Sequence, residues 1–393
     1  MNRGDIGITD IDQLPLRIII LQVLQNSVRD YLSLCDSSND FMENCSEYEY
    51  VNLYFKTYRL IYSRDPENIP IDIDKYTNKY SYTDEYKKLY EDLVENTVEL
   101  KNTNNKLNNY IWRYISNLVN LTYLDLSNNQ ISEIKGLDNL TLLTTLQLFY
   151  NQISEIKGLD KLTNLNNLGL SYNKISEIKG LDKLTNLTDL FLSNNQISEI
   201  KGLDNLTLLT DLDLSDNQIS EIKGLDNLND LTKLDLSDNQ ISEIKGLDNL
   251  NNLTDLFLSN NQISEIKGLD NLNDLINIKN LDLSNNQISK IKGLDKLTKL
   301  NYLYLQNNQI SEIEGLDKLI YIYYLDLSNN QISEIEGLDK LIHLYYLDLS
   351  NNQISKIKGL DKLTKLNYLY LQNNPITKTE GLGNLTNIKN IKF

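Results

Sequence analysis

"LDLSNNQISKIKGLDKLTKLNY" occupies residues 281–302 and recurs, letter for letter, at 347–368. Near-copies follow one another at a 22-residue step, with one unit, 256–280, that is three residues longer. The units begin at Leu124, Leu146, Leu168, Leu190, Leu212, Leu234, Leu256, Leu281, Leu303, Leu325, Leu347 and Leu369. A fixed period in the twenties predicts a solenoid, in which each unit stacks on its neighbours. The verbatim copies indicate that the array was lengthened by duplication.

Each unit, numbered from its first leucine, carries the pattern of a short half-buried strand. Positions 20, 1 and 3 are apolar, as in Leu187, Leu190 and Leu192. Alternation with period two predicts that positions 21, 22, 2, 4 and 5 lie on the outer face of the strand. Further apolar residues at positions 8, 11, 14 and 17 fill the rest of the coil. One unit cannot bury its own leucines, so stacking closes a continuous core.

Two further positions are the same in all twelve units and have a structural explanation. Position 6 is asparagine from Asn129 to Asn374, and a buried amide needs partners for both its oxygen and its nitrogen. A stacked column of asparagines is predicted to bond the turn backbone of its own and the adjacent coils. Position 13 is glycine from Gly136 to Gly381, which suits a positive φ or a close backbone approach.

The constant letters spell LxxLxLxxNxI, with a tail of the form "ISEIKGLD". This pattern resembles the leucine-rich repeat of the short 22-residue class, which includes the type-one protein phosphatase regulator and the bacterial internalins. The resemblance implies an α/β solenoid, a horseshoe or arc with a parallel concave sheet, preceded by a small α-helical N-terminal module. About 12 repeats of 22 residues would occupy 122–393.

The residues before the array lack the repeat. We predict a helical segment at 1–63, a linker at 64–80 that holds two prolines, and a helical cap at 81–121 over the first coil. The stretch "DEYKKLYEDLVENTVELK" at 84–101 has the apolar spacing of an amphipathic helix.

The N-terminal segment also resembles an F-box, the helical motif that docks the Skp-type adaptor of a cullin ubiquitin ligase. Its pattern is "LP", then an Ile/Leu/Val-rich helix, then "DYLSLC". The Val-Cys-x-x-Trp ending of the family is replaced by "SSNDFMENC", so the motif is degenerate. The resemblance implies adaptor contacts at Leu14, Pro15, Ile18, Ile19, Val23, Tyr31 and Leu32. An unrelated helical cap is the alternative for this segment.

Charge and composition limit the partners. The net charge of −17 disfavours nucleic acid and anionic membrane surfaces, which require basic patches. The two cysteines, Cys35 and Cys45, fit a reducing compartment, and the N-terminus is a poor signal peptide. We therefore expect an intracellular, cytoplasmic protein. The absence of alanine indicates an AT-rich genome, and the F-box interpretation implies a eukaryote-associated source such as a large DNA virus.

The residue types of common enzyme sites are scarce. His343 is the only histidine, so a two-histidine zinc site cannot form. No partners are positioned with it for a Ser-His-Asp set, and we interpret it as an incidental surface residue. Cys35 and Cys45 lack metal-ligand spacing. The sequence predicts no enzyme, no cofactor and no metal site.

The outward strand positions are the ones that vary. Early coils carry Tyr123, Phe149, Tyr150 and Tyr172, and middle and late coils carry acids and tyrosines. We predict a protein-binding concave face formed by Asp189, Asp211, Asp213, Asp235, Asp255, Phe191 and Phe257, together with Tyr302, Tyr304, Tyr323, Tyr324, Tyr345, Tyr346, Tyr368 and Tyr370. Exposed aromatics are typical of interaction hot spots, and grouped acids favour a basic partner.

The function predicted from sequence is therefore non-enzymatic protein–protein interaction on the concave face. One alternative is a substrate receptor of a cullin ubiquitin ligase, in which 11–45 docks the adaptor. Others are a phosphatase regulatory subunit and an internalin-like adhesin. A further alternative is a freely expanding array with little dedicated function, in which tyrosine is frequent because AT-rich codons and strand surfaces favour it.

Overall fold

The computed structural model of the protein describes residues 99–101, 115–269, 277–377, 382–383 and 385–393. The chain divides into two compact units, and every described residue belongs to the unit formed by Thr97–Asn104 and Ile115–Phe393. The predicted helical segment at 1–63, its adaptor contacts and the predicted linker at 64–80 lie outside the described residues. The domain boundaries therefore stay predictions.

The described unit is a solenoid whose coils contribute one strand each to a single parallel sheet. The 14 strands follow one another in sequence order, and all neighbours pair in parallel. Their bounds are β1 Glu99–Lys101, β2 Tyr123–Asp125, β3 Thr145–Gln147, β4 Asn167–Gly169, β5 Asp189–Phe191, β6 Asp211–Asp213, β7 Lys233–Asp235, β8 Asp255–Phe257, β9 Asn280–Asp282, β10 Tyr302–Tyr304, β11 Tyr324–Asp326, β12 Tyr346–Asp348, β13 Tyr368–Tyr370 and β14 Asn390–Lys392. The predicted leucine-rich solenoid is confirmed.

The core is a continuous stack of leucines and isoleucines. In one coil Leu190, Leu192 and Ile197 are fully buried and Ile200 is 2% exposed. Each of these side chains packs between equivalent residues of adjacent coils, because strand register joins positions one repeat apart, such as Leu190 and Leu212. The repeat period thus fixes the register of the sheet, and hydrophobic burial holds the coils together.

The asparagine column is a hydrogen-bonded ladder, as the sequence predicts. The side-chain nitrogen of Asn239 donates to the carbonyl oxygens of Leu236 and Ser237 in its own coil and of Leu214 in the preceding coil, at 3.1, 3.0 and 3.0 Å. Its oxygen accepts the backbone N–H of Ile219 at 2.9 Å. The amide therefore bonds backbone groups of two coils, and the Ser237 carbonyl also accepts the N–H of Asp216 at 2.9 Å.

A second backbone feature was not predicted. Position 5 has a positive φ, between 51° and 58°, in all twelve coils. Eight of these positions hold asparagine, which tolerates the left-handed region better than other side chains do. The exceptions are Tyr150, Tyr172, Asp216 and Asp238.

The structure differs from the sequence predictions in two places. Glu99–Lys101, predicted as the end of a helix, forms strand β1 and pairs with β2, so the helix prediction is wrong for these three residues. Position 4, predicted to point outwards, is buried in coils such as those of Ser328 and Ser350. A small serine fits there because the position 2 side chain folds over it, with Ser328 donating to the carboxylate of Asp326 at 2.7 Å.

Candidate functional site

The sheet presents two rows of side chains, one on each side of the buried leucine of every strand. Positions 22 and 2 are partly exposed in most strands, and we call the surface they form the sheet face. Because pairing joins residues one repeat apart, equivalent side chains of neighbouring coils stand next to one another. The side chains at these positions therefore form one surface that extends over several coils.

Strands β10–β13 bring all eight predicted tyrosines together. We call this group the tyrosine field, and its members are Tyr302, Tyr304, Tyr323, Tyr324, Tyr345, Tyr346, Tyr368 and Tyr370. Two pairs stack face to face across neighbouring coils. The rings of Tyr324 and Tyr346 are 4.2 Å apart with planes 9° apart, and those of Tyr323 and Tyr345 are 4.7 Å apart at 8°. The eight side chains thus form a packed aromatic layer.

Contacts between the rows join these pairs into one network. The ring centroid of Tyr304 lies 5.0 Å from that of Tyr324 on the neighbouring strand, and the ring centroid of Tyr370 lies 5.3 Å from that of Tyr346. Tyr345 also contacts the next coil, with its ring 5.5 Å from that of Tyr368. These centroid separations fall in the range in which aromatic pairs stabilise one another. The layer is therefore held in place before any partner arrives.

Three hydroxyls of the field hold their protons more strongly than a free tyrosine does. Burial raises the pKa of Tyr304, Tyr324 and Tyr346 above the usual tyrosine value of 10.0. A side-chain hydrogen bond with Tyr346 raises the pKa of Tyr324 further. Neutral phenols can both donate and accept hydrogen bonds at neutral pH. The field thus combines apolar area with polar tips.

A groove continues the field past the start of the strands, and sequence reasoning missed it. Its lining combines Tyr302, Tyr323 and Tyr345 with Tyr321 and His343. The rings of Tyr321 and His343 stack with centroids 5.9 Å apart. His343 is therefore not an isolated surface residue, although its place three positions before a strand gave no sequence signal. The prediction that His343 has no catalytic partners stays a prediction.

The middle strands β5–β8 bring together the predicted acids and phenylalanines. We call this group the acidic zone, and its members are Asp189, Asp211, Asp213, Asp235, Asp255, Phe191 and Phe257. Strand pairing sets Asp189 beside Asp211 and Asp213 beside Asp235. Strand pairing therefore concentrates carboxylates on this part of the sheet face.

A lysine inside the acidic zone partly neutralises it. Lys233 lies between Asp211 and Asp255 in the position 22 row, and its Nζ is 3.2 Å from Oδ2 of Asp211. Burial nevertheless raises the pKa of Asp211 and of Asp235 above the usual aspartate value, more strongly than Lys233 lowers it. Oδ1 of Asp211 is buried without a protein hydrogen-bond partner. The sequence named the acids but missed this internal counter-charge.

Comparison with known proteins shows the family. Overlapping matches to the model for leucine-rich repeats run from 119 to 271, and further matches cover 276–318 and 324–362. The chain is a leucine-rich repeat protein. This family's fold is typically used for binding through an extended surface rather than for catalysis. A comparison with curated protein sequences gives no match.

Solved structures of leucine-rich repeat proteins resemble this one. An internalin (inlF) from Listeria monocytogenes is 32% identical, with a TM-score of 0.68 over 77% of this chain and 88% of that chain. The functional domain of InlJ from Listeria monocytogenes is 25% identical, with a TM-score of 0.61 over 76% and 68%. The TLR13–ssRNA13 complex is 22% identical, with a TM-score of 0.57 over 73% and 53%, a likeness that shows the fold alone.

The comparisons match the leucine-rich repeat and give internalin-like neighbours. They do not show the F-box or the phosphatase-regulator resemblance. Among the residues that the structure describes, no three histidine, cysteine, aspartate or glutamate side chains are grouped so that they could hold a metal ion. The same residues contain no helix with the length and apolar character of a membrane span.

Proposed function

We propose that this leucine-rich repeat protein binds a protein partner on the sheet face, with the tyrosine field as the main contact. The observation that carries the proposal is the contact network that joins tyrosines from four successive coils into one layer. Tyrosine supplies a large contact area and loses little conformational entropy when a partner binds. Stacking on neighbours fixes the rings in advance, which lowers that entropy loss further.

Exposure indicates where the partner would make contact. Tyr302 and Tyr323 are 40% and 41% exposed, although aromatic side chains of this size are usually more deeply buried. Their outer edges point away from the core, which is already filled by leucine. Tyrosine at these positions therefore adds nothing to the core.

The acidic zone supports a basic partner. Its carboxylates lie on the same sheet face as the tyrosine field and would attract positive charge over distances of about 8 Å at physiological salt. We propose that the partner places an aromatic or apolar patch on the tyrosine field and a basic patch on the acidic zone. Raising the salt concentration should slow association with such a partner and leave dissociation nearly unchanged.

The test uses binders selected on the wild-type chain from a phage-displayed peptide library. Their affinity is then measured by calorimetry for the wild type, for Tyr323→Ala/Tyr345→Ala and for Leu208→Ala. Leu208 is the matched control because it is 45% exposed in a turn outside the sheet. We expect affinity to fall by about tenfold or more in the double variant, the effect of losing hot-spot contacts, and to stay unchanged in the control. Binders that tolerate the double variant equally well would refute the proposal.

A second proposal concerns the segment outside the described residues. The F-box-like pattern at 11–45 supports a substrate receptor of an intracellular cullin ubiquitin ligase, in which the sheet face holds the target. Size-exclusion chromatography with a Skp-type adaptor tests it on the full chain and on a chain without residues 1–60. Co-elution of the full chain alone supports the receptor. Two folded chains that both elute apart from the adaptor contradict it. The phosphatase-subunit hypothesis stays a prediction from the repeat pattern.

A further inference from the structure

The early coils carry a stacked tyrosine pair that the core and the tyrosine field do not explain. Tyr150 and Tyr172 occupy position 5 of neighbouring coils, and their rings lie 4.0 Å apart with planes 15° apart. They are 50% and 43% exposed, so the array does not bury them. They belong to strand ends near β3 and β4, several coils away from the tyrosine field. The pair is thus a separate surface feature.

The backbone makes tyrosine a costly residue at these two positions. Their φ values are 54° and 58°, in the left-handed region, where bulky side chains are rare. At the same position, the other coils hold asparagine or aspartate, which tolerate that region. Strain of this kind persists where function requires the residue. Asparagine would fit the turn at lower cost, so packing gives no reason for tyrosine here.

The surroundings of the pair are acidic and amide-rich. A concavity at the end of the strands is lined by Tyr150, Tyr172, Asn194 and Asp216, which are position 5 of four successive coils, and by neighbouring ladder asparagines. A hydrogen bond with Tyr150 raises the pKa of Tyr172, and the charges of Asp216 and Asp213 raise it further. Negative charge beside exposed aromatic faces favours a cation over an anion or a neutral group.

We propose that the Tyr150–Tyr172 pair, with Asp216, is a binding subsite for an arginine side chain of a basic protein segment. A guanidinium can lie flat against an exposed tyrosine face and donate to the carboxylate of Asp216. The sheet already shows this chemistry at its two ends. Lys101 Nζ lies 4.9 Å from the ring centroid of Tyr123, and Lys392 Nζ lies 5.2 Å from that of Tyr370. A nucleic acid base could also stack on tyrosine, but its phosphates would meet the acids.

The experiment measures binding of a fluorescein-labelled peptide of alternating glycine and arginine by fluorescence anisotropy, at about 0.15 M salt. A peptide with citrulline in place of arginine keeps the shape and removes the charge. The test variant is Tyr150→Asn/Tyr172→Asn, which carries the residue found at this position in eight coils and therefore folds. It also keeps the net charge of −17, so nonspecific attraction to an acidic protein is unchanged. Leu208→Ala is the control variant.

We expect the dissociation constant for the arginine peptide to rise about fivefold in the double asparagine variant. Leu208→Ala should bind as the wild type does, and the citrulline peptide should bind weakly to all three proteins. The urea midpoint of the double variant should rise, because the strain is relieved. An affinity within about twofold of wild type overturns the proposal whatever the stability, since the tyrosines are then products of drift. Preferential binding of a uridine oligonucleotide to the wild type also overturns it.

Discussion

Replacing Asn239 with alanine should weaken the solenoid far more than its size suggests. The side chain is 8% exposed and makes four hydrogen bonds to backbone groups of two coils. Alanine removes all four and offers no replacement. The lost atoms are those of the amide, so the interactions removed are mainly hydrogen bonds. The fall in the free energy of unfolding therefore measures the contribution of one asparagine of the ladder.

The magnitude follows from the backbone groups that are left without partners. The N–H of Ile219 loses its acceptor, and an unsatisfied buried donor costs about 1–3 kcal/mol. The carbonyl oxygens of Leu214 and Leu236 lose the amide as a donor, whereas that of Ser237 keeps the backbone N–H of Asp216 at 2.9 Å. We expect the free energy of unfolding to fall by about 3 kcal/mol in total.

The matched control is Asn249→Ala in the same coil. Asn249 is exposed and donates one hydrogen bond, to the carbonyl oxygen of Asp226 at 3.0 Å. The chemical deletion is the same, but water replaces the lost bond, so the free energy of unfolding should change by less than about 0.5 kcal/mol. Urea unfolding of both variants gives these differences. Native-state hydrogen exchange of the Ile219 amide gives a local measure, because its acceptor is the deleted oxygen.

Equal stability losses in Asn239→Ala and Asn249→Ala would refute the ladder as a source of stability. Unchanged exchange protection of the Ile219 amide in the buried variant would refute it independently. Either result would mean that leucine packing alone holds the register of the coils. A large loss with fast exchange confined to the Ile219 region would support a local role for each asparagine.

Three further predictions use other features of the repeat. Asp326→Asn should raise the free energy of unfolding near pH 7 and have little effect below about pH 4. Burial raises the pKa of Asp326, so the folded protein binds a proton at this carboxyl more tightly than the unfolded chain does. The stability that this proton contributes is lost as the pH rises through the folded pKa. Gly158→Ala should cost about 2 kcal/mol, since φ is 75° and the new Cβ would lie 2.9 Å from the carbonyl oxygen of Ile134. Asn260→Tyr should cost about 1 kcal/mol, because φ is 54° there.

Urea unfolding across pH measures the first of these, and a gain for Asp326→Asn that is as large at pH 3 as at pH 7 would contradict burial as the cause. Thermal and urea unfolding measure the other two. A neutral Gly158→Ala variant would show that the coil relaxes around the added methyl group. A neutral Asn260→Tyr variant would mean that tyrosine is tolerated in the left-handed turn, and that Tyr150 and Tyr172 carry no strain.

The sequence predicted much of the sheet face. The strand period identified positions 21, 22 and 2 as outward, so it named all eight tyrosines and the acids of the middle coils. It could not give their contacts. The stacking of Tyr324 on Tyr346 at 4.2 Å and the ion pair of Lys233 with Asp211 depend on side-chain conformations chosen in competition with neighbours. The groove with Tyr321 and His343 lies beyond the strands, where the period gives no direction.

The sequence by itself determined the solenoid, because a leucine at a fixed period can be buried only against its copies. It also determined the asparagine ladder, because a buried amide in every coil needs backbone partners. Only the tertiary structure decided that Glu99–Lys101 adds a strand, since an available sheet edge overrides helical periodicity there. It also decided that position 5 is left-handed in every coil. That conformation is set by the turn between the strand and the ladder asparagine. Tyr150 and Tyr172 are therefore bulky residues in a left-handed turn, which composition cannot reveal.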